Sequence, residues 1–267
     1  MTRPLSLVLM PFHAATFAIG MGRGPHVLAA RIDGDDVTEV EAAPELESEI
    51  ARTFELDRRL ARSVREVVAA GSFPLVLSGN CISCLGTVAG AGADAVLWLD
   101  AHADFDTPDD NVSGFLDVMA LASLTGNCWA AQCASIEGFR PIAERDVVLV
   151  GVRDLLDYQR ARLERSQIRV LPRTVGVAAA LDALASRARR LYLHVDLDCL
   201  DPSEGRANDY AAPGGLTAEE VRATIAEALR RFDVRAAALT AYDPAVDADG
   251  RIATAAAAFA AEIRRSV

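Results

Sequence analysis

The sequence predicts an α/β sandwich built on a mainly parallel sheet. Three observations lead there: short apolar runs without alternation, helix-like segments between them, and a capping signature ahead of one such segment. Strands buried on both faces read as continuous apolar runs, whereas half-exposed strands alternate. In chain order, the first candidate strand is Leu5–Met10, bracketed by Pro4 and Pro11, and a long helix follows at Glu45–Ala70. Strands Pro74–Leu77, Ala95–Leu99 and Val147–Val150 come next, all apolar. Helix Leu155–Ser166, strand Ile168–Leu171, helix Val177–Arg189 and strand Leu191–Val195 continue the alternation. Thr217-Ala-Glu-Glu220 is a capping box that opens helix Ala218–Arg231, since the Thr and Glu side chains can satisfy each other's backbone N–H groups. Strand Ala236–Thr240 and an Ala-rich helix, Ala253–Arg265, complete the chain. Such alternation requires right-handed crossovers that lay helices on the sheet. In folds of this kind the ligand site lies beyond the carboxyl ends of the strands.

The 267 residues contain no composition break, linker or repeat, which predicts a single domain over residues 1–267. A net charge of −11 argues against nucleic acid and against an anionic membrane surface, both of which need a basic face. It suits a small-molecule substrate or a cation. All 27 basic residues are Arg, which we read as base bias in the genome rather than chemistry. MTRPLSLVLMPFHAA carries too brief an apolar run for a signal peptide, and residues 253–261 are too few to span a bilayer. Five cysteines, an odd number, do not describe a disulfide framework, so a reduced, cytoplasmic protein is expected. Gly20-Met-Gly-Arg-Gly-Pro25 is not a dinucleotide fingerprint, because Pro25 takes the third glycine's place and no helix is expected directly after it.

The chemistry lies in two other segments. Asp100-Ala-His-Ala-Asp104 follows strand AVLWL, and Asp196-Leu-Asp198 follows LYLHV, with Asp201-Pro202 beyond. Alternate residues of an extended chain share a side, so Asp100, His102 and Asp104 face together, as do Asp196 and Asp198. Several carboxylates in one crevice cannot all stay ionised without a cation. Oxygen-rich donors with a single imidazole favour Mn²⁺ or Mg²⁺ over structural zinc. Two such ions sharing a carboxylate would hold a water, lower its pKa and supply hydroxide as nucleophile.

These segments resemble the arginase/agmatinase/formimidoylglutamase (ureohydrolase) family. LDAHADFDTP is similar to that family's DAHxD…NTP signature, and HVDLDCLDP to its SxDxDxxDP signature. GRGP, SGNCISCLG, SGFLDVMAL, GVRD and GGLT extend the likeness in order along most of the chain. The resemblance implies a three-layer α-β-α sandwich with a central, mainly parallel sheet, assembled as a homo-oligomer (trimer or hexamer). It also implies a binuclear manganese centre that hydrolyses a guanidinium to urea and an amine. Carried over residue by residue, the metal ligands would be Asp100, His102, Asp104, Asp196 and Asp198. Cys81 stands where the family's GGDHS motif has its ligating His.

Several positions depart from the family. Thiolate is a soft ligand and a poor match for Mn²⁺, so one or two ions, or another divalent metal, are expected. Cys81, in Cys81-Ile-Ser-Cys84, reads as a substituted metal-site residue, a buried inert thiol, or a redox or nucleophilic thiol. Asp117 aligns with the acid/base His and, with Asp104, is a candidate catalytic group; an Asp would need a raised pKa for that work. Asp106 aligns with the Asn that holds an amino-acid carboxylate, while the neighbouring Ser is kept as Ser113. An anionic Asp106 would prefer a donor or a cation. Ala241 replaces the Glu that grips the guanidinium, with Asp243 two residues on as its potential substitute. Arg153 and Asp154 match a rim motif, read either as a site element or a surface ion pair. Tyr210 stands where a small hydroxyl residue is usual and would narrow the pocket. The expected function is hydrolysis of a C–N bond in a guanidine or amidine (including an N-hydroxyguanidine) or a linear amide. The alternatives are a catalytically degenerate protein that binds a metal or small molecule, and a thiol enzyme. His194, expected to face the core side of its strand, would not serve Cys81 as a base.

Overall fold

The computed structural model describes residues 3–267. Met1 and Thr2, the start of the segment weighed as a signal peptide, lie outside the described residues. In chain order the strands are β1 (Leu5–Met10), β2 (Phe12–His13), β3 (Thr16–Phe17), β4 (Asp36–Glu39), β5 (Phe73–Ser78), β6 (Ala95–Leu99), β7 (Val147–Val150), β8 (Arg169–Leu171), β9 (Arg190–Asp196) and β10 (Asp233–Thr240). The helices are α1 (Gly24–Ala29), α2 (Glu49–Ala69), α3 (Cys84–Ala91), α4 (Ala120–Leu124), α5 (Ala130–Ala134), α6 (Asp157–Arg165), α7 (Val177–Ala185), α8 (Ala218–Arg231) and α9 (Arg251–Ser266). Eight strands form one sheet in the order β4-β1-β5-β10-β9-β6-β7-β8, while β2 and β3 make a separate antiparallel hairpin. Every pairing within the large sheet is parallel.

Helices cover both faces, and the period of two decides which side chain meets which layer. Leu75, Leu77, Leu97, Leu99, Leu191 and Leu193 pack on one face with residues of α7, α8 and α9. Val76, Val96, Trp98 and Tyr192 point to the other, against α2, α3 and α4. The strands lack alternation because both sides are buried, as expected for a central parallel sheet. The expected three-layer α-β-α arrangement is therefore observed.

The capping box of α8 forms as expected, with Glu220 N donating to Thr217 Oγ1 at 3.1 Å and Thr217 N to Glu220 Oε2 at 2.9 Å. Two local expectations need correction. Strand β4 is an exposed edge rich in charge, a composition that blunts edge pairing and masks the strand signal. Helix α1 begins at Gly24, at the end of the Gly20–Arg23 turn, although no helix was expected there. The glycine at its start serves close packing: a Cβ on Gly24 would sit 2.1 Å from the carbonyl oxygen of Tyr242.

After β5 the chain skips two sheet positions, later filled by β10 and β9, before laying down β6. Loops leaving β5 and β6 thus diverge, and a crevice opens between them at the carboxyl ends. No helix of the described residues is long and apolar enough to cross a membrane.

Candidate metal centre and its cavity

The crevice receives Cys81 from the loop after β5, Asp100 to Asp104 from the loop after β6, and Asp196 and Asp198 from the end of β9. Backbone and side-chain donors aim Asp100, Asp196 and Asp198. Trp98 Nε1 donates to Asp100 Oδ2 at 2.8 Å and His102 N to Asp100 Oδ1 at 2.7 Å. Asp198 N donates to Asp196 Oδ1 at 2.8 Å. Asp198 itself accepts from Ala101 N at 3.3 Å and from Asn208 Nδ2 at 3.1 Å. His102 Nδ1 then lies 3.4 Å from Asp100 Oδ1 and 3.4 Å from Asp198 Oδ2, while its Nε2 is 3.7 Å from Asp154 Oδ2. Ligand atoms of Asp100, His102 and Asp198 all lie within 4.8 Å of one another.

The electrostatics express the same crowding. Burial pushes up the carboxyls of Asp100, Asp104 and Asp196, and their mutual repulsion adds to it. Burial also disfavours a charged His102, yet Asp198 and Asp100 overcome it and raise the imidazole to about 12. Burial would raise Asp198 too, but His102 and Asn208 hold it at about 2. The group as it stands uses protons and one imidazolium to balance charge that a divalent cation would balance better. Its carboxylate and imidazole donors, with Asp100 and Asp198 each oriented by hydrogen bonds from the protein, fit a hard divalent ion.

His102 and Asp198 open onto a cavity of about 80 Å³. Cys81, His102, Asp104, Asp117, Asp196 and Asp198 form its polar side, and Met21, Phe115, Val118, Tyr210 and Ala241 its apolar side. Tyr210 lines the mouth, its ring 6.3 Å from that of Phe115. Asp104 takes a left-handed backbone (φ 46°) that turns its carboxyl into the cavity.

Other expected site residues are placed differently. Asp106 is buried away from the cavity, where its carboxylate accepts from Asn111 Nδ2, Tyr158 OH and Gln159 Nε2 at 2.9, 2.8 and 3.0 Å. Ser113 is exposed and bonded to Asn111 Oδ1 and Phe115 N. Ala241 has φ 58°, which breaks the extended alternation. Asp243 consequently turns to Arg23 and to the Ala245 N–H and does not line the cavity. Asp154 stands at the rim beside His102 and forms no ion pair with Arg153. Arg153 instead donates to five carbonyls, of Gly151, Asp198, Cys199, Leu200 and Ala212. Asp117 lines the cavity, but its oxygens accept from Asn80 Nδ2 at 2.6 Å and Ile82 N at 2.7 Å. Burial raises its carboxyl to about 6 despite those donors. It orients the Cys81 loop.

Both thiols of the CxxC are buried, and burial raises each. Cys81 Sγ donates to Asp196 Oδ2 at 2.9 Å, whereas Cys84 Sγ points to the carbonyl of Ala120. The thiols diverge, which removes the redox-pair reading. His194 corrects a further expectation. It shares a face with Tyr192 and Asp196, and its ring stacks on Trp98 with centroids 3.6 Å apart. Burial lowers the imidazole to about 3, so it is neutral. The period of two that aligned Asp196 with Asp198 also places His194 on that side. Met21, from the glycine-rich segment, and Asn208 were legible only from the folded chain.

The comparisons agree with this geometry. A family model described as the arginase family matches residues 6–264. The arginase of Bacillus caldovelox is 30% identical over 218 residues, covering 77% of this chain and 73% of that protein. Its native structure superposes with a TM-score of 0.85 at 25% identity, covering 99% of this chain and 98% of that one. The N(omega)-hydroxy-L-arginine amidinohydrolase of Streptomyces lavendulae is 30% identical over 192 residues, covering 68% of this chain and 67% of that protein. With signature carboxylates at the ends of β6 and β9 and a family match over nearly its whole length, this chain belongs to the arginase family.

Proposed function

We propose that this chain is a metal-dependent hydrolase acting on a C–N bond of a small amidine, N-hydroxyguanidine or linear amide. The observation that carries the reading is the convergence of Asp100, His102 and Asp198 within 4.8 Å of one another, with His102 and Asp198 lining a cavity whose opposite wall is apolar. A cavity of about 80 Å³ admits a planar head group of a few heavy atoms, since one water occupies about 30 Å³ in the liquid. The remainder of the substrate would lie at the mouth between Phe115 and Tyr210. Nothing on the Ala241 wall pairs with a guanidinium, and Asp106, Ser113 and Asp243 are turned away. The cationic head group of arginine is therefore a poor fit.

When bound, a divalent cation would supply charge neutralisation and activation of water. Asp100, His102 and Asp198 would hold it, the two carboxylates fixed by the donors described above. Asp104, turned into the cavity, is the group positioned to take a proton from the attacking water and return it to the leaving nitrogen. Phe115, Met21 and Val118 exclude bulk water from that exchange. Family membership further supports manganese as the cation and a trimeric or hexameric assembly.

One observation favours a second reading, a binding protein without turnover: Asp117, the residue at the acid/base position, is tied up by Asn80 and Ile82. A screen on Mn²⁺-loaded protein separates the two. We expect release of ammonia from neutral amides, or of N-hydroxyurea from N-hydroxyguanidines, faster than release of urea from arginine or agmatine. An Asp198→Asn variant should lose both turnover and retained metal by at least about 100-fold, the scale expected when a buried charged ligand is neutralised. Preference for arginine would overturn the substrate class. Metal retention without turnover on any substrate would favour the binding protein.

A further inference from the structure

The inner end of the crevice holds an imidazole that the signature does not provide. In the SxDxDxxDP pattern, His194 stands at the Ser position. Parallel register places Trp98 of β6 beside His194 of β9, and Thr240 of β10 beside Asp196. Trp98 therefore stacks flat on the ring, and the stack fixes the ring's plane. Tyr192 OH lies 2.7 Å from His194 Nδ1, so that nitrogen has its own partner and Nε2 is directed at the crevice. The Thr240 hydroxyl lies 3.2 Å from Nε2 and 3.2 Å from Cys81 Sγ, holding the two donors face to face. Cys81 Sγ, a carboxylate oxygen of Asp100 and a ring nitrogen of His194 all lie within 4.8 Å of one another. Asp196 Oδ2 is 2.9 Å from the same sulfur.

Such spacings match one small coordination sphere. With metal–sulfur and metal–nitrogen bonds of about 2.3 and 2.0 Å, tetrahedral ligands lie roughly 3.3–3.6 Å apart. A histidine that ligates through one nitrogen while the other meets a fixed polar partner is the usual arrangement in metal proteins. Sulfur and imidazole together select a borderline-soft ion, whereas Asp100, His102 and Asp198 suit a hard one.

We propose that Cys81, His194, Asp100 and Asp196 form a zinc-type site, with His194 Nε2 in place of the imidazole that the loop after β5 lacks. The chain would then pair an inner, thiolate-containing position for Zn²⁺ with an outer, oxygen-rich position for Mn²⁺ or Mg²⁺, Asp100 serving both. The inference rests on the metal-binding reading of the same crevice. It differs in naming the ligand set and the ion.

Cobalt substitution tests it on the full-length chain. With one equivalent of Co²⁺, the wild type should show a near-ultraviolet sulfur-to-cobalt charge-transfer band and the strong visible bands of four-coordinate cobalt. Cys81→Ser should abolish the charge-transfer band. His194→Gln should weaken Zn²⁺ binding by about 10–100-fold, the scale of a lost imidazole or its support. Should either variant fold poorly, zinc-edge X-ray absorption of the wild type decides the matter: one sulfur plus imidazole scattering is expected. Cobalt or zinc bound with only oxygen and a single imidazole would overturn this site and leave the outer one standing. No metal bound at any position would overturn both.

Discussion

Replacing Arg153 probes how the metal loops are held. Its guanidinium donates from Nη2 to Asp198 O at 2.8 Å, Leu200 O at 3.2 Å and Ala212 O at 2.8 Å. Nη1 reaches Gly151 O at 3.1 Å and Cys199 O at 3.3 Å. Three consecutive carbonyls, those of residues 198 to 200, are thus gathered onto one planar cation, while Arg153 N donates to Ala101 O at 2.9 Å. The side chain ties the loop after β9 to the loop after β7, which carries Arg153, and the Arg153 backbone N–H joins that loop to the one after β6. Hydrogen bonds from a charged donor net about 1.5–3 kcal/mol each, but five sharing one group are not additive. We expect Arg153→Ala to cost about 3–4 kcal/mol, a lowering of Tm by roughly 6–15 °C for a chain of this size. Because Asp198 is displaced with its loop, Mn²⁺ affinity should fall by about 10–100-fold. Lysine keeps the charge but lacks the planar fork, so Arg153→Lys should fall between wild type and alanine in both measures. Thermal unfolding and calorimetric Mn²⁺ titration read the two effects. An alanine variant that melts within about 2 °C of wild type, less than 1 kcal/mol on this scale, and binds Mn²⁺ unchanged would refute the bracing role.

Two further outcomes follow from other residues. Asp57 is fully buried; its Oδ1 accepts from Gly86 N at 2.9 Å, and its Oδ2 has no partner. Burial raises its carboxyl well above the usual range, so the folded state keeps the proton. A raised acid contributes stability that is present at low pH and is lost as pH rises. Against an unfolded carboxyl titrating near 3.9, holding that proton costs stability that grows as pH rises. A neutral amide removes that pH-dependent cost, so Asp57→Asn should be stabilising at pH 7, on the order of 1 kcal/mol. Denaturant melts at pH 5 and 7 check this, since the variant's advantage must shrink at pH 5. Ala241→Glu places a carboxylate on the apolar wall and should shift relative kcat/KM toward cationic guanidines by at least about tenfold, an ion-pair effect near 1.4 kcal/mol. Unchanged ratios would show that this wall does not meet the substrate's head group.

The sequence by itself determined the apolar strands, the capping box of α8 and the two carboxylate segments at strand ends. Those features are local: burial on both faces, a reciprocal cap and a period of two are each written within a few residues. The same period would have put His194 beside Asp196 had it been extended one step back. Tertiary structure alone decided where the polar side chains turn. Asp106 looks like a site residue in its own segment, yet Tyr158 and Gln159, more than 50 positions away, take its carboxylate. Asp243 is diverted by the left-handed backbone at Ala241 and by Arg23. Arg153, beside Asp154 in the chain, finds carbonyls nearly 60 residues distant. A buried polar group settles on whichever donors or acceptors the fold brings to it, because leaving it unpaired costs more than any local preference can repay. Strand spacing therefore located the crevice, and partners distant in the chain decided which residues face into it.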